Sequence, residues 1–136
     1  MKHKDTIKIM NWFVFTGLVC LGVTVGYDGL SSLDHTPMPH DEAYQSRFQL
    51  NWGVLQTVTI SILLIFTVLL IVGWKRTFPF NVPFALIIAG SLYLYIFMTF
   101  TIGWIRLLGM IGFAIAIVAA LILMILHTII LWRSKE

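Results

Sequence analysis

From Val82 to Trp132 the chain carries a single charged residue, Arg106, in a stretch of about 50 residues. A soluble protein of this size exposes too much surface to hide so long an apolar stretch. One membrane-spanning helix needs about 20 residues, because roughly 30 Å of hydrocarbon is crossed at 1.5 Å per residue. The stretch is therefore long enough for two spans. Gly103, Trp104 and Arg106 mark the break between them and predict a tight helical hairpin.

Two further apolar runs lie nearer the N-terminus, and no Asp, Glu, Lys or Arg stands in the interior of any of the four. The predicted spans cover about residues 9–27, 52–74, 82–102 and 107–132, with an outer loop at 28–51. Helix is the expected conformation, because a backbone in lipid must satisfy its hydrogen bonds within its own segment. The sequence therefore predicts an all-α integral membrane protein, a small bundle of about four transmembrane helices forming one membrane domain over residues 1–136.

The basic residues predict the orientation of these helices. Seven of them would lie on one side of the membrane and two, Arg47 and Arg106, on the other. The seven are Lys2, Lys4, Lys8, Lys75, Arg76, Arg133 and Lys135. Because Lys and Arg accumulate on the cytoplasmic side, we expect both termini in the cytoplasm and a plasma (cytoplasmic) membrane location. The charges stand at helix ends and form no groove for phosphates, so a nucleic-acid partner is not expected.

The N-terminal segment has an alternative interpretation, since a basic start before an apolar run is also typical of a secretory signal. The run from Ile9 to Val25 is longer than a typical signal core, and no clear A-x-A-like cleavage site follows it. These features favour a retained first helix. Cleavage would leave three spans, with the new N-terminus outside.

The outer loop contains the densest set of possible metal ligands. His35, Met38, His40 and Asp41 lie within seven residues, and such groups can bind copper or zinc. Their spacing matches no established metal site. The alternative is an exposed, proline-stiffened loop that serves as a contact surface, in which case no cofactor is expected.

Small residues predict where helices approach each other. Gly112, Ala116 and Ala120 recur every four residues in the fourth span, and Gly22 and Gly26 do so in the first. This spacing lets two helix backbones come close together. We expect these two helices to pack closely, within one bundle or across a homodimer.

Polar residues inside the spans are candidates for function. His127 lies on the same face of the fourth span as the small residues, where it can relay protons or bind a metal, heme or other ligand. The alternative is a hydrogen bond to a neighbouring backbone group. Gln56, Thr59 and Thr67 are expected to face the bundle, either lining a polar cavity or forming interhelical hydrogen bonds.

The sequence predicts a function only in outline. The spans lack paired carboxylates, a nucleophile with a base, and the charged pair typical of ion-driven transporters. We therefore expect a non-enzymatic accessory, immunity or regulatory component whose partners are the lipid bilayer and a membrane protein or second copy. One alternative is a small-solute or metal-ion transport component, and another is a membrane enzyme using Asp28, His35 and His40. Replacing His35 or His40 with Ala separates these alternatives, because an interaction protein should tolerate either change.

Overall fold

A computed structural model of the chain describes residues 2–31, 50, 52–101 and 103–133. Within these ranges the regular structure is entirely α-helical. The helices are α1 Lys2–Ser31, α2 Val54–Val72, α3 Asn81–Phe100 and α4 Ile105–Arg133. All four are long and apolar enough to cross a membrane. The prediction of an all-α fold with four helices able to span a membrane is therefore confirmed for this part of the chain.

The antiparallel pair α3 and α4 forms the centre of the fold. A Cβ built on Gly90 of α3 would lie only 2.6 Å from the Cβ of Ala116 on α4. Farther along the interface between α3 and α4, a Cβ on Gly109 would lie 2.6 Å from the Cβ of Phe97. Neither position has room for a side chain, so the glycines are what allow the two backbones to come this close.

The best-buried apolar cluster lies where α3 begins and α4 ends. It consists of Val82 and Leu86 from α3 and Ala120 and Leu123 from α4. Four residues of α1, Met10, Val14, Phe15 and Leu18, pack against it. Because residues 10, 14 and 18 are four apart and residue 15 is adjacent to 14, these side chains share one face of α1, and the opposite face is exposed.

Helix α2 lies at the edge of the bundle. It is described in full, has no buried residue and contacts α3 alone among the other helices. Its C-terminus is closed at Gly73, whose N–H donates to the carbonyl oxygen of Leu69 at 2.9 Å. The connection that follows exposes Lys75 and Arg76 and leads to Asn81, the first residue of α3.

Candidate functional site

The predicted metal ligands His35, Met38, His40 and Asp41 lie outside the described residues. Asp28 is exposed near the end of α1, where its carbonyl oxygen accepts a hydrogen bond from the Ser31 hydroxyl at 3.1 Å. In the part of the chain that the structure describes, no group of three His, Cys, Asp or Glu is placed to hold a metal ion. The candidate sites that can be built from contacts therefore lie inside the spans.

The ring of Tyr93 on α3 lies between the small residues of α1 and those of α4. A Cβ on Gly26 would be 3.4 Å from ring carbon Cε2 of Tyr93 and 3.6 Å from its hydroxyl oxygen. A Cβ on Gly22 would be 3.9 Å from the same ring carbon. On the opposite side, a Cβ on Gly112 would be 2.6 Å from ring carbon Cδ1. The structure thus brings the glycines of α1 and α4 together with an aromatic ring between them.

The other small residues of α4 face α3. Ala116 meets Gly90, and Ala120 is fully buried in the cluster with Val82 and Leu86. A direct contact between α1 and α4 occurs near the end of α1. There, a Cβ on Gly29 would lie 2.7 Å from the Cδ1 atom of Leu108.

An apolar cavity of about 620 Å³, partly open to the outside of the bundle, lies between the C-terminal half of α1 and the facing sides of α3 and α4. We call it the interhelical cavity. Its wall includes Gly22 and Gly26 from α1, Ala89 and Tyr93 from α3, and Ile115 from α4. Among the described lining residues, only Tyr27 and Tyr93 have polar side chains. Such a space suits a mostly apolar molecule with few hydrogen-bonding groups.

The Tyr93 hydroxyl is a free hydrogen-bond donor in this wall. The ring packs against Phe97 with centroids 4.8 Å apart, and the described residues offer its hydroxyl no hydrogen-bond partner. Tyr93 lies about 18 Å along α3 from its first residue and about 10 Å from its last, at 1.5 Å per residue. The hydroxyl therefore belongs to the hydrocarbon layer rather than to the headgroup region.

A second group of polar side chains is buried at the opposite end of the bundle. Asn11 of α1 is 2% exposed, and its Nδ2 donates to the carbonyl oxygen of Pro79 at 3.4 Å. Asn81 donates from Nδ2 to the carbonyl oxygen of Trp74 at 3.5 Å, while its Oδ1 accepts the N–H of Val82 at 2.9 Å. These bonds attach α1 and the start of α3 to the connection between α2 and α3.

His127 is fully buried in the same region. Its ring meets the ring of Phe80 edge to face, with centroids 6.1 Å apart. Neither ring nitrogen has a hydrogen-bond partner, and the Oδ1 atom of Asn11 also has none. The backbone hydrogen bond considered for His127 is therefore not formed. Buried polar atoms usually have partners, so these three are exceptions, and two hydroxyls of α3 are the others among the described residues.

Helix α3 also carries two buried hydroxyls without partners. Tyr95 is 9% exposed and Thr99 is fully buried, and neither hydroxyl has a partner. The Trp52 ring contacts the Tyr95 ring edge to face at 6.3 Å between centroids. The hydroxyls of Tyr95 and Thr99 are therefore able to form hydrogen bonds that no described residue provides.

Three of the polar residues of α2 lie on its half-buried side. Gln56, Thr59 and Thr67 are all partly covered, as expected for residues facing the bundle. The hydroxyls of Thr59 and Thr67 donate to the carbonyl oxygens four residues earlier, at 2.8 and 2.7 Å. These two hydroxyls are therefore satisfied within their own helix.

Sequence reasoning missed Asn11, and it named Tyr93 only as one of several polar residues of the third span that could line a cavity or form interhelical hydrogen bonds. A signal was available for Asn11, because a lone amide in an apolar run must find a partner when the helix packs. No such signal distinguishes Tyr93 from the other aromatic residues of α3. Its role depends on the glycines that happen to face it, Gly26 and Gly112, which are distant in sequence.

Comparisons of the chain with protein-family models, curated proteins and solved structures find no match. Function must therefore be argued from the chemistry of the sites themselves.

Proposed function

We propose that this chain is a non-enzymatic accessory or regulatory component of the cytoplasmic membrane, acting by helix packing against another membrane protein. The observation that carries the proposal is the position of α2. This helix can span the bilayer, yet it has no buried residue and packs on α3 alone. Most of its surface is therefore available to a helix from a partner.

The side of α2 away from α3, its outer face, has the composition of a helix contact. We define this face by Val54, Thr57, Ser61, Leu64 and Val68, all of which are exposed. Thr57 and Ser61 are four residues apart, and their hydroxyls donate to the carbonyl oxygens of Gly53 and Thr57 at 3.2 and 2.8 Å. Small residues with satisfied hydroxyls allow a second helix to approach closely without leaving an unpaired polar group.

A photo-crosslinking experiment tests this function in the membrane where the chain is naturally made. A photoreactive residue at Ser61 should give a discrete protein adduct, identified by mass spectrometry. The matched control is Leu63, which is half-buried on the side facing α3 and should give no such adduct. Lipid adducts alone at Ser61 would contradict the proposal. Coexpression of two differently tagged copies shows whether the partner is a second copy of this chain.

The proposal includes an orientation, with both termini in the cytoplasm. Its support is the excess of Lys and Arg at the termini and in the exposed Lys75–Arg76 connection. It also includes a tight hairpin between α3 and α4, supported by the positive φ of 67° at Gly103 and the exposed Trp104. Lys75→Cys and Trp104→Cys, made in a Cys20→Ala background, test the orientation with an impermeant thiol reagent. Labelling of residue 104 but not 75 in intact cells is expected, and the reverse would contradict it.

A further inference from the structure

We propose that the interhelical cavity binds an uncharged, mostly apolar molecule with a ring carbonyl, of the isoprenoid-quinone kind, and that Tyr93 donates a hydrogen bond to that carbonyl. Two independent observations support this site. The first is the cavity of about 620 Å³, which falls within the range of about 300–1,000 Å³ found for small-molecule sites. The second is the Tyr93 hydroxyl in its wall, which has no partner among the described residues.

The wall determines that the occupant is apolar. It consists of aliphatic side chains, glycines and aromatic rings, with no charged residue among those described. A cavity of this kind does not hold ordered water, because water needs several polar partners. Because several lining side chains, such as Val23 and Ile111, are exposed, the cavity is partly open, and an apolar molecule dissolved in the membrane can enter it.

The depth of Tyr93 favours a ring carbonyl over a phospholipid. Its position, about 10 Å from the end of α3, lies within the hydrocarbon layer, whereas phospholipid ester groups lie at the interface. A phospholipid would bring only its hydrocarbon chain to this level, and that chain has no acceptor for the hydroxyl. A quinone ring dissolves in hydrocarbon and presents a carbonyl oxygen that can accept a hydrogen bond from the Tyr93 hydroxyl.

Two glycines on α1 keep this space open. A Cβ on Gly22 would be in ordinary contact with Tyr93, and one on Gly26 would be 3.4 Å from its ring. A longer side chain at Gly22 would therefore extend into the cavity. Gly17, on the same helix, provides a matched control because no described atom lies within 4 Å of a Cβ built there.

The experiment measures binding of decylubiquinone to the purified full-length chain in phosphatidylcholine nanodiscs, through quenching of tryptophan fluorescence. Decylbenzene, which is of similar shape but lacks oxygen, is the comparison ligand. The variants are Tyr93→Phe, Gly22→Leu and the control Gly17→Leu, each checked for folding by circular dichroism. Ile115→Trp, which also fills the cavity, replaces Gly22→Leu if that variant does not fold.

Saturable quinone binding is expected, abolished by Gly22→Leu and unchanged by Gly17→Leu. Loss of one hydrogen bond in Tyr93→Phe should weaken it by about two- to tenfold. Binding that does not saturate, or that survives Gly22→Leu and Ile115→Trp, overturns the site. Equal affinity for decylbenzene, or an unchanged affinity in Tyr93→Phe, overturns recognition of a carbonyl. Because no partner protein is involved, the result is separate from that of the crosslinking experiment.

Discussion

The ring of Tyr93 rests directly on the backbone of Gly112, so closely that a Cβ at residue 112 would lie 2.6 Å from ring carbon Cδ1. This contact fixes the ring from the α4 side, while Gly26 leaves room for it on the α1 side. One aromatic side chain of α3 therefore packs against both α1 and α4, and it can do so because the facing residues lack side chains.

Replacing Gly112 with Ala should destabilise the bundle, because the added methyl group forces the Tyr93 ring away from α4. Overpacking of this kind typically costs about 1–3 kcal/mol, and the open cavity beside the ring places the expected cost near the lower end. Thermal unfolding in detergent measures the effect, with Gly17→Ala as the matched glycine control. Equal unfolding midpoints for the two variants would show that Tyr93 does not depend on Gly112.

Gly90 and Ala116 should be energetically coupled. Gly90→Ala would place two Cβ atoms 2.6 Å apart, and both are attached to backbone, so α3 and α4 must separate. We expect a loss of about 1–3 kcal/mol in the free energy of unfolding. Adding Ala116→Gly removes the opposing methyl group and should recover much of the loss. A double-mutant cycle measures the coupling, and additive effects would contradict the direct contact.

The sequence predicted the four spanning helices well because lipid leaves an apolar chain few alternatives. Runs free of charge, such as the one that begins at Val82, have to form helices whatever their neighbours are. Helix ends were less predictable. Hydropathy locates the first span from about Ile9, whereas α1 begins at Lys2, because hydrogen bonding along a helix does not stop at the membrane surface.

The candidate site depends on contacts that spacing does not specify. The four-residue repeat of Gly112, Ala116 and Ala120 predicts a face for close packing but not which helix covers it. In the structure that face meets Gly90 and Tyr93 of α3. Whether the Tyr93 hydroxyl has a hydrogen-bond partner depends on the positions of three helices. A short sequence pattern within one helix therefore cannot predict it.

The helices should contribute unequally to stability. Leu123 of α4 is 3% exposed, whereas Leu64 of α2 is 58% exposed. Leu123→Ala leaves a cavity in the core and should cost about 2–3 kcal/mol, the lower part of the usual range, because lipid is as apolar as the core. Leu64→Ala should change the free energy of unfolding by less than about 0.5 kcal/mol. Unfolding in detergent by denaturant compares the two, and similar losses would mean that α2 is covered.

His127 and Asn81 should respond in opposite ways to replacement by Leu. His127 is buried with both ring nitrogens unpaired, so His127→Leu removes polar atoms without breaking a hydrogen bond. Such a change is expected to be neutral or stabilising. Asn81 is also buried but makes two hydrogen bonds, to Trp74 and Val82. Asn81→Leu should therefore lower the free energy of unfolding by about 1–2 kcal/mol.

The same unfolding measurement tests both variants. A clear loss of stability in His127→Leu would contradict the unpaired state and reveal a partner for the imidazole, such as a bound water. A loss of stability could also arise because Leu packs poorly at this position. The variant His127→Gln distinguishes the two causes, because Gln keeps hydrogen-bonding groups in a flexible side chain. Stability recovered by Gln but not by Leu would establish a hydrogen bond at residue 127. Equal stability of all three chains would show that the imidazole packs against Phe80 as an aromatic ring alone.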